Sequence, residues 1–299
     1  MERKIQHSQN FLHSTKLVSR LVESSLIHSG DLVIEIGPGK GIITKALANR
    51  KCRVVAIEID EVLSSKLIEK FREYDDITII QKDFMNFSLP KEKYKVFANI
   101  PFNMTAEIIQ RLIGVSNTAD EIYLVMQYEA TLKYAGMPYY SESLRSLMYK
   151  PYYEVSIEYE FSPSDFLPPP KAKIVLSHFH KKEKPDIPYE KYTTYCDFLN
   201  YIFSANGRTF KEKTKSLFTY EQQKRLHRSS GIAFDAVISE ITYVQWIDMF
   251  NCFINYVSAE KQALIKGSKK NMDRSRSKLK KVHRNRKAIK THNESEKKK

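Results

Sequence analysis

The chain has 299 residues and 35.0 kDa, of which 42% are hydrophobic, enough for one large domain and a smaller one. No apolar run approaches the roughly 20 residues of a membrane helix, and Met1 to Lys16 has no apolar signal core, so a cytoplasmic protein is expected. The net charge of +14 suggests a polyanionic partner, but 16 of the basic residues lie in Lys261–Lys299 against Asp273, Glu294 and Glu296, which leaves positions 1–260 near neutral.

In chain order, Leu17, Leu21, Val22, Leu26 and Ile27 give residues 14–29 a helical apolar stripe, with Ser14 as N-cap and Gly30 as stop. An alternation follows. Leu32–Ile36, Arg53–Ile57, Ile77–Gln81, Lys95–Ala98 and Glu121–Met126 read as strands, with helices over 42–50, 61–72 and from Thr105 to Gly114. Continuous apolar strands separated by helices predict a parallel sheet covered on both faces. Tyr152–Phe161 and Lys173–Phe179 follow with no helix between them, so they pair antiparallel. The charged, proline-containing stretch "KKEKPDIPYEK", 181–191, marks a linker.

Beyond it Phe198, Ile202 and Phe203, then Ile247, Phe250, Ile254 and Val257, have helical spacing, and Trp246 reads as core. The expected architecture is an α/β, Rossmann-like sheet, mostly parallel with its last strand antiparallel, followed by a small all-α domain. The expected divisions are 1–180, 181–260 and a disordered basic tail, 261–299, suited to phosphate contact without base reading. Cys52, Cys196 and Cys252 are widely spaced among apolar neighbours and read as reduced core thiols. The eight His form no metal-binding spacing, so no metal is expected.

The first chemical signal is "LVIEIGPGKG", a strand running into Gly37, Gly39 and Gly41. Such a turn lets the backbone fold tightly and approach a nucleotide-like cofactor. Its G-x-G-x-G spacing misses the dinucleotide pattern and lacks the Lys-Ser/Thr of a P-loop. Glu58, closing the second strand about 20 residues on, is placed to accept ribose hydroxyls; Asp60 is the competing acid, more suited to capping a helix. Asp83, after the third strand, can accept from an adenine amino group. Glycines and acids at three successive strand ends suit S-adenosylmethionine, with NAD the weaker alternative.

The second signal is "FANIPFNM", 97–104, after the fourth strand. An exocyclic amine is a poor nucleophile because its lone pair is delocalised. Acceptors at the Asn99 side chain and the Ile100 carbonyl would hold its N–H groups and aim the lone pair at a methyl carbon. Pro101 fixes the turn, and Phe102 offers a stacking face.

"NIPF" resembles the [D/N/S]-x-P-[Y/F/W] motif of amino methyltransferases. "HSQNFL", "EIGPGKG", "IEID", "KDF" and "NIPF", in this order, resemble the rRNA adenine N6-dimethyltransferase superfamily. "ADEIYLVMQYEA" and "DFLPPPKAK" look like its erythromycin-resistance (Erm) branch, which acts on 23S rRNA. The resemblance covers about residues 5–260. It implies SAM-dependent dimethylation of an unstacked adenine in large-subunit rRNA by a monomer. It further implies that Asn10 and Leu12 join Gly37, Glu58, Asp83 and Asn99 around the cofactor, and that Phe166 covers the second face of the base. Phe102 departs from the Tyr that relatives mostly carry, and the basic tail after 260 is longer than the core family needs and is not assigned by the resemblance. The rival readings are a small-subunit rRNA dimethyltransferase, a non-catalytic RNA-binding relative and a DNA adenine methyltransferase.

Overall fold

The computed structural model describes residues 10–113 and 119–275. It forms two compact units, Met1–Asp186 and Ile187–Lys299, dividing inside the stretch read as the linker.

The first unit opens with a two-residue strand, β1 (Phe11–Leu12), and helix α1 (Thr15–Glu23). The Ser14 side chain caps α1 by accepting from the Leu17 N–H at 3.2 Å. The helix ends well before Gly30. The Ser24 and Ser25 hydroxyls bond back to the Leu21 and Val22 carbonyls, competing with further helical turns, and Leu26 is left 46% exposed.

Then come β2 (Leu32–Ile36), α2 (Ile42–Asn49), β3 (Arg53–Glu58), α3 (Glu61–Phe71), β4 (Ile77–Gln81), β5 (Tyr94–Asn99), α4 (Thr105–Leu112) and β6 (Ala119–Gln127). Two helices without a counterpart in the sequence reading, α5 (Tyr128–Ala135) and α6 (Leu144–Tyr149), precede β7 (Tyr153–Phe161), β8 (Phe166–Leu167) and β9 (Ile174–Lys181). β1 pairs with β8. The large sheet has the order β4-β3-β2-β5-β6-β9-β7. β9 inserts antiparallel between β6 and β7, so the last strand in sequence is not the edge of the sheet.

Every residue of β2 is buried, the outcome of a strand covered on both faces. Connections from β2 run outward to β3 and β4 on one side, while β5 lies on the other. The carboxyl ends of β2 and β5 are therefore neighbours at the switch point of the sheet, where α/β proteins place ligands.

The second unit contains α7 (Tyr192–Ser204), α8 (Phe210–Thr214), α9 (Tyr220–Ser230), α10 (Tyr243–Tyr256) and α11 (Ala259–Ala263). Thr209, Thr219 and Thr242 begin α8, α9 and α10 as capping boxes with Glu212, Gln222 and Gln245 three residues on. Phe198 of α7 packs edge-on to Trp246 and tilted against Phe253, with ring centroids 6.4 and 5.0 Å apart. Trp246 is fully buried.

The expectation of disorder from Lys261 fails for residues 261–275. After α11, Ile265 is 2% exposed, Gly267 turns the chain at φ +77°, and residues 268–275 are helical. The cause is Asp197 on α7. Its two carboxylate oxygens accept the Gly267 and Lys269 N–H groups at 2.9 Å each, capping the incoming helix. The remainder of the expected tail, 276–299, lies outside the described residues.

Candidate active site

At the end of β2 the chain takes left-handed φ values at Gly37, Gly39 and Gly41, +64°, +57° and +75°. The three glycines answer different needs. A Cβ on Gly41 would meet Leu67 Cδ2 at 2.7 Å, and one on Gly39 would meet the Phe11 ring at 2.8 Å. A Cβ on Gly37 would meet nothing within 4 Å, and Gly37 lines a cleft. The turn thus packs on two sides and leaves backbone open to a ligand on the third.

Glu58, at the end of β3, is 1% exposed. Its Oε2 accepts the Gly39 N–H at 3.1 Å, and its Oε1 accepts the Asp60 N–H at 3.0 Å. One carboxylate therefore ties two loops together while each oxygen keeps a lone pair for a ligand hydroxyl. Asp60 is occupied as the N-cap of α3, accepting from the Leu63 N–H at 2.9 Å. Asp83 accepts the Met85 N–H through Oδ1 at 2.8 Å, which leaves Oδ2 for a ligand amine.

The sequence reading did not single out Glu35, two residues before Gly37. It is 1% exposed; burial raises its carboxyl from 4.5 to about 8, against the opposing effect of the Thr44 hydrogen bond. The Thr44 hydroxyl bonds to Oε2 at 2.6 Å, and Oε1 has no hydrogen-bond partner. An acid beside a glycine turn was a signal available in "IEIGPG".

At the end of β5, Asn99 donates its side-chain N–H to the Asn10 carbonyl at 2.8 Å. That bond fixes the amide and leaves Oδ1 as the acceptor. The Ile100 N–H reaches the Val125 carbonyl of β6 at 3.3 Å. Pro101, at φ −66° and ψ 125°, then turns the chain into a short 3-10 segment, Phe102–Met104. The Met104 N–H and the Thr105 hydroxyl bond back to the Pro101 and Phe102 carbonyls, at 3.0 and 3.1 Å, and α4 starts there. Phe102 stays half-buried at the rim.

The cleft brings together Asn10, Gly37, Glu58, Asp83, Asn99, Ile100, Pro101 and Phe102. It encloses about 890 Å³ of space including its solvent mouth. Three expected residues are not on its wall. Leu12 is 7% exposed and points into the core, because β1 pairs with β8 and turns alternate residues to opposite sides; its neighbour Phe11 lines the cleft instead. Gly39 acts behind the wall, through its N–H to Glu58.

Phe166 is 1% exposed, edge-on to Phe161 at 5.3 Å, and offers no face to a base in this structure. Residues the sequence reading missed include Phe11, Ile59 and Phe84, which give the cleft apolar walls, and Lys82. Ile59 was legible as an apolar residue beyond a strand end, and it is 47% exposed.

The family model described as Ribosomal RNA adenine dimethylase matches residues 1–255. The chain belongs to that family. It is 26% identical over 253 residues to an rRNA adenine N-6-methyltransferase of Bacillus anthracis, covering 85% of this chain and 88% of the relative. It is also 30% identical over 224 residues to a ribosomal RNA small subunit methyltransferase A of Mycoplasmopsis pulmonis, covering 74% and 87%. Among solved structures, the 23S rRNA methyltransferase ErmE superposes with a TM-score of 0.75 at 23% identity, over 82% of this chain and 100% of that one, a likeness of fold.

As a ribosomal RNA adenine dimethylase, the chain is a SAM-dependent rRNA adenine N6-methyltransferase. The cleft fits that cofactor chemically. Glu58 has free acceptor capacity of the kind a ribose would need, Asp83 an acceptor of the kind a purine amine would need, and Gly37 an unfilled space against open backbone. No helix of the described residues is long and apolar enough to cross a membrane.

Proposed function

We propose that this protein methylates N6 of one adenine in large-subunit (23S) rRNA, twice, as a monomeric cytoplasmic enzyme, and so confers resistance to macrolide, lincosamide and streptogramin B antibiotics. Asn10, Gly37, Glu58 and Asp83 would hold S-adenosylmethionine, and Phe11 and Ile59 would flank its apolar surfaces. When bound, it supplies an electrophilic methyl on a sulfonium whose charge disappears on transfer.

The chain's own groups act on the other reactant. Asn99 Oδ1 and the Ile100 carbonyl accept the two N6–H groups, so the nitrogen lone pair is released from the ring and points along the line of attack. Phe102 stacks on the base. After transfer the surplus amine proton would pass to solvent, so no side-chain base is required. The adenine must be out of its stack, which calls for a loop or junction in the RNA.

What supports the large-subunit reading is the resemblance of "ADEIYLVMQYEA" and "DFLPPPKAK" to the Erm branch, beside the turn Asn99-Ile100-Pro101-Phe102. The superposition over the whole ErmE chain supports it. A second reading, the small-subunit rRNA enzyme, is favoured by the relatives named for that subunit, such as the one from Mycoplasmopsis pulmonis. Expression in a macrolide-sensitive bacterium separates the two. The proposal expects erythromycin resistance from the wild type and none from Asn99→Ala; sensitivity in both, with restored dimethylation of 16S rRNA in a strain lacking it, would establish the second reading.

A further inference from the structure

His178 and His180 are two residues apart in β9, so the strand's alternation puts both rings on one face. The antiparallel register sets Glu121 of β6 opposite His180 and Tyr123 opposite His178. "SHFHK" therefore carries a spacing that is weak in a helix and effective in a strand. We propose that Glu121, His178 and His180 form a binding site for one divalent transition-metal ion of the zinc class.

One ligand atom from each of the three residues lies within 4.8 Å of the others. Glu121 Oε2 is 2.5 Å from His178 Nε2, and Oε1 is 2.9 Å from His180 Nδ1. Tetrahedral zinc with nitrogen and oxygen ligands spaces them roughly 3.3 Å apart, so the two present hydrogen bonds, at 2.5 and 2.9 Å, would open by about 0.8 and about 0.4 Å to admit the ion. Two imidazoles and one carboxylate suit zinc rather than magnesium or calcium. The fourth position is left to water.

The surroundings are built as metal sites commonly are. His178 Nδ1 faces the Glu158 carboxylate at 3.5 Å, which could hold the proton on Nδ1 once an ion takes Nε2 in place of its hydrogen bond to Glu121. Ser156 in turn donates to Glu158. The His178 ring is stacked on Tyr123 at 4.2 Å with the planes 4° apart, and the Tyr123 hydroxyl accepts the Leu26 N–H at 3.0 Å. His180 is 41% exposed and gives an ion its entry.

The site stands apart from the methylation cleft. Asn99 pairs with Val125, four residues along β6 from Glu121, or roughly 13 Å of strand. An ion here would staple β6 to β9, a structural role independent of the methyl-transfer reading.

The test uses untagged full-length protein, equilibrated with zinc chloride, freed of loose metal by gel filtration, and assayed by plasma mass spectrometry. One zinc per chain is expected in the wild type. His180→Ala should fall below one-tenth, with its fold checked by near-ultraviolet circular dichroism, and Glu158→Gln should weaken zinc binding by about tenfold or more. Cobalt substitution should give the visible bands of an ordered low-coordinate site in the wild type alone. Absence of stoichiometric zinc in folded wild type, or its retention in His180→Ala, overturns the proposal.

Discussion

The side-chain amide of Asn99 donates to the backbone carbonyl of Asn10 at 2.8 Å, joining groups 89 residues apart in sequence. A free asparagine could present either its oxygen or its nitrogen to a ligand. Tied in this way, it presents oxygen, the acceptor that an exocyclic amine requires.

Replacing Asn99 tests that orientation. Asn99→Ala should lower methyl transfer by about 100-fold or more while cofactor affinity, measured by calorimetry, stays nearly constant, because the loss falls on positioning of the amine. Asn99→Asp should fall between them: it keeps an acceptor but sets a carboxylate oxygen against the Asn10 carbonyl.

Phe102 and Phe166 should separate cleanly. Phe102→Ala removes a stacking face at the rim of the cleft and should weaken RNA binding by about 1–3 kcal/mol, with Phe102→Tyr close to wild type. Phe166→Ala excavates a core in which the ring is 1% exposed, so it should cost about 3–5 kcal/mol of stability. Filter binding reads the first effect and urea unfolding the second.

Glu35 makes stability depend on pH. Its carboxyl lies near 8 in the folded chain against 4.5 when free in water, so between those values the native state keeps a proton that the unfolded chain has lost. Stability therefore falls as pH rises across that window, by up to about 1.4 kcal/mol per unit, and levels off above it. Urea unfolding at pH 6 and pH 8 should show this loss in the wild type and a smaller one in Glu35→Gln.

The carboxyl-terminal segment should matter to both stability and RNA binding. Truncation after Glu260 removes Ile265 and the two N–H groups held by Asp197, leaving a buried carboxylate without them, and should lower the melting temperature. It should flatten the salt dependence of RNA binding by about 0.9 in log-log slope for every phosphate that the shortened chain no longer neutralises, if the RNA there is duplex-like.

Much of the sheet was legible because buried parallel strands write themselves as continuous apolar runs, as β2 does with "LVIEI". The glycine turn, Glu58, Asp83 and the Asn99 turn were legible because strand ends carry residues that neither packing nor propensity explains. The end of α1 was hidden, since "ESS" keeps the apolar stripe going while the serine hydroxyls compete for its carbonyls. Leu12 and Phe166 were displaced by a pairing of two-residue strands 154 positions apart, too short to leave a pattern. Asp197 was silent for another reason: a carboxylate in an apolar helix reveals its cap only once residues 267 and 269 arrive beside it.

The most direct measurement is to incubate the enzyme with labelled S-adenosylmethionine and purified 23S and 16S rRNA separately, then digest to nucleosides and identify the labelled species by mass spectrometry. The account predicts N6,N6-dimethyladenosine at one position of 23S rRNA, and no label from Asn99→Ala. Label confined to 16S rRNA, or on any atom other than adenine N6, would contradict it.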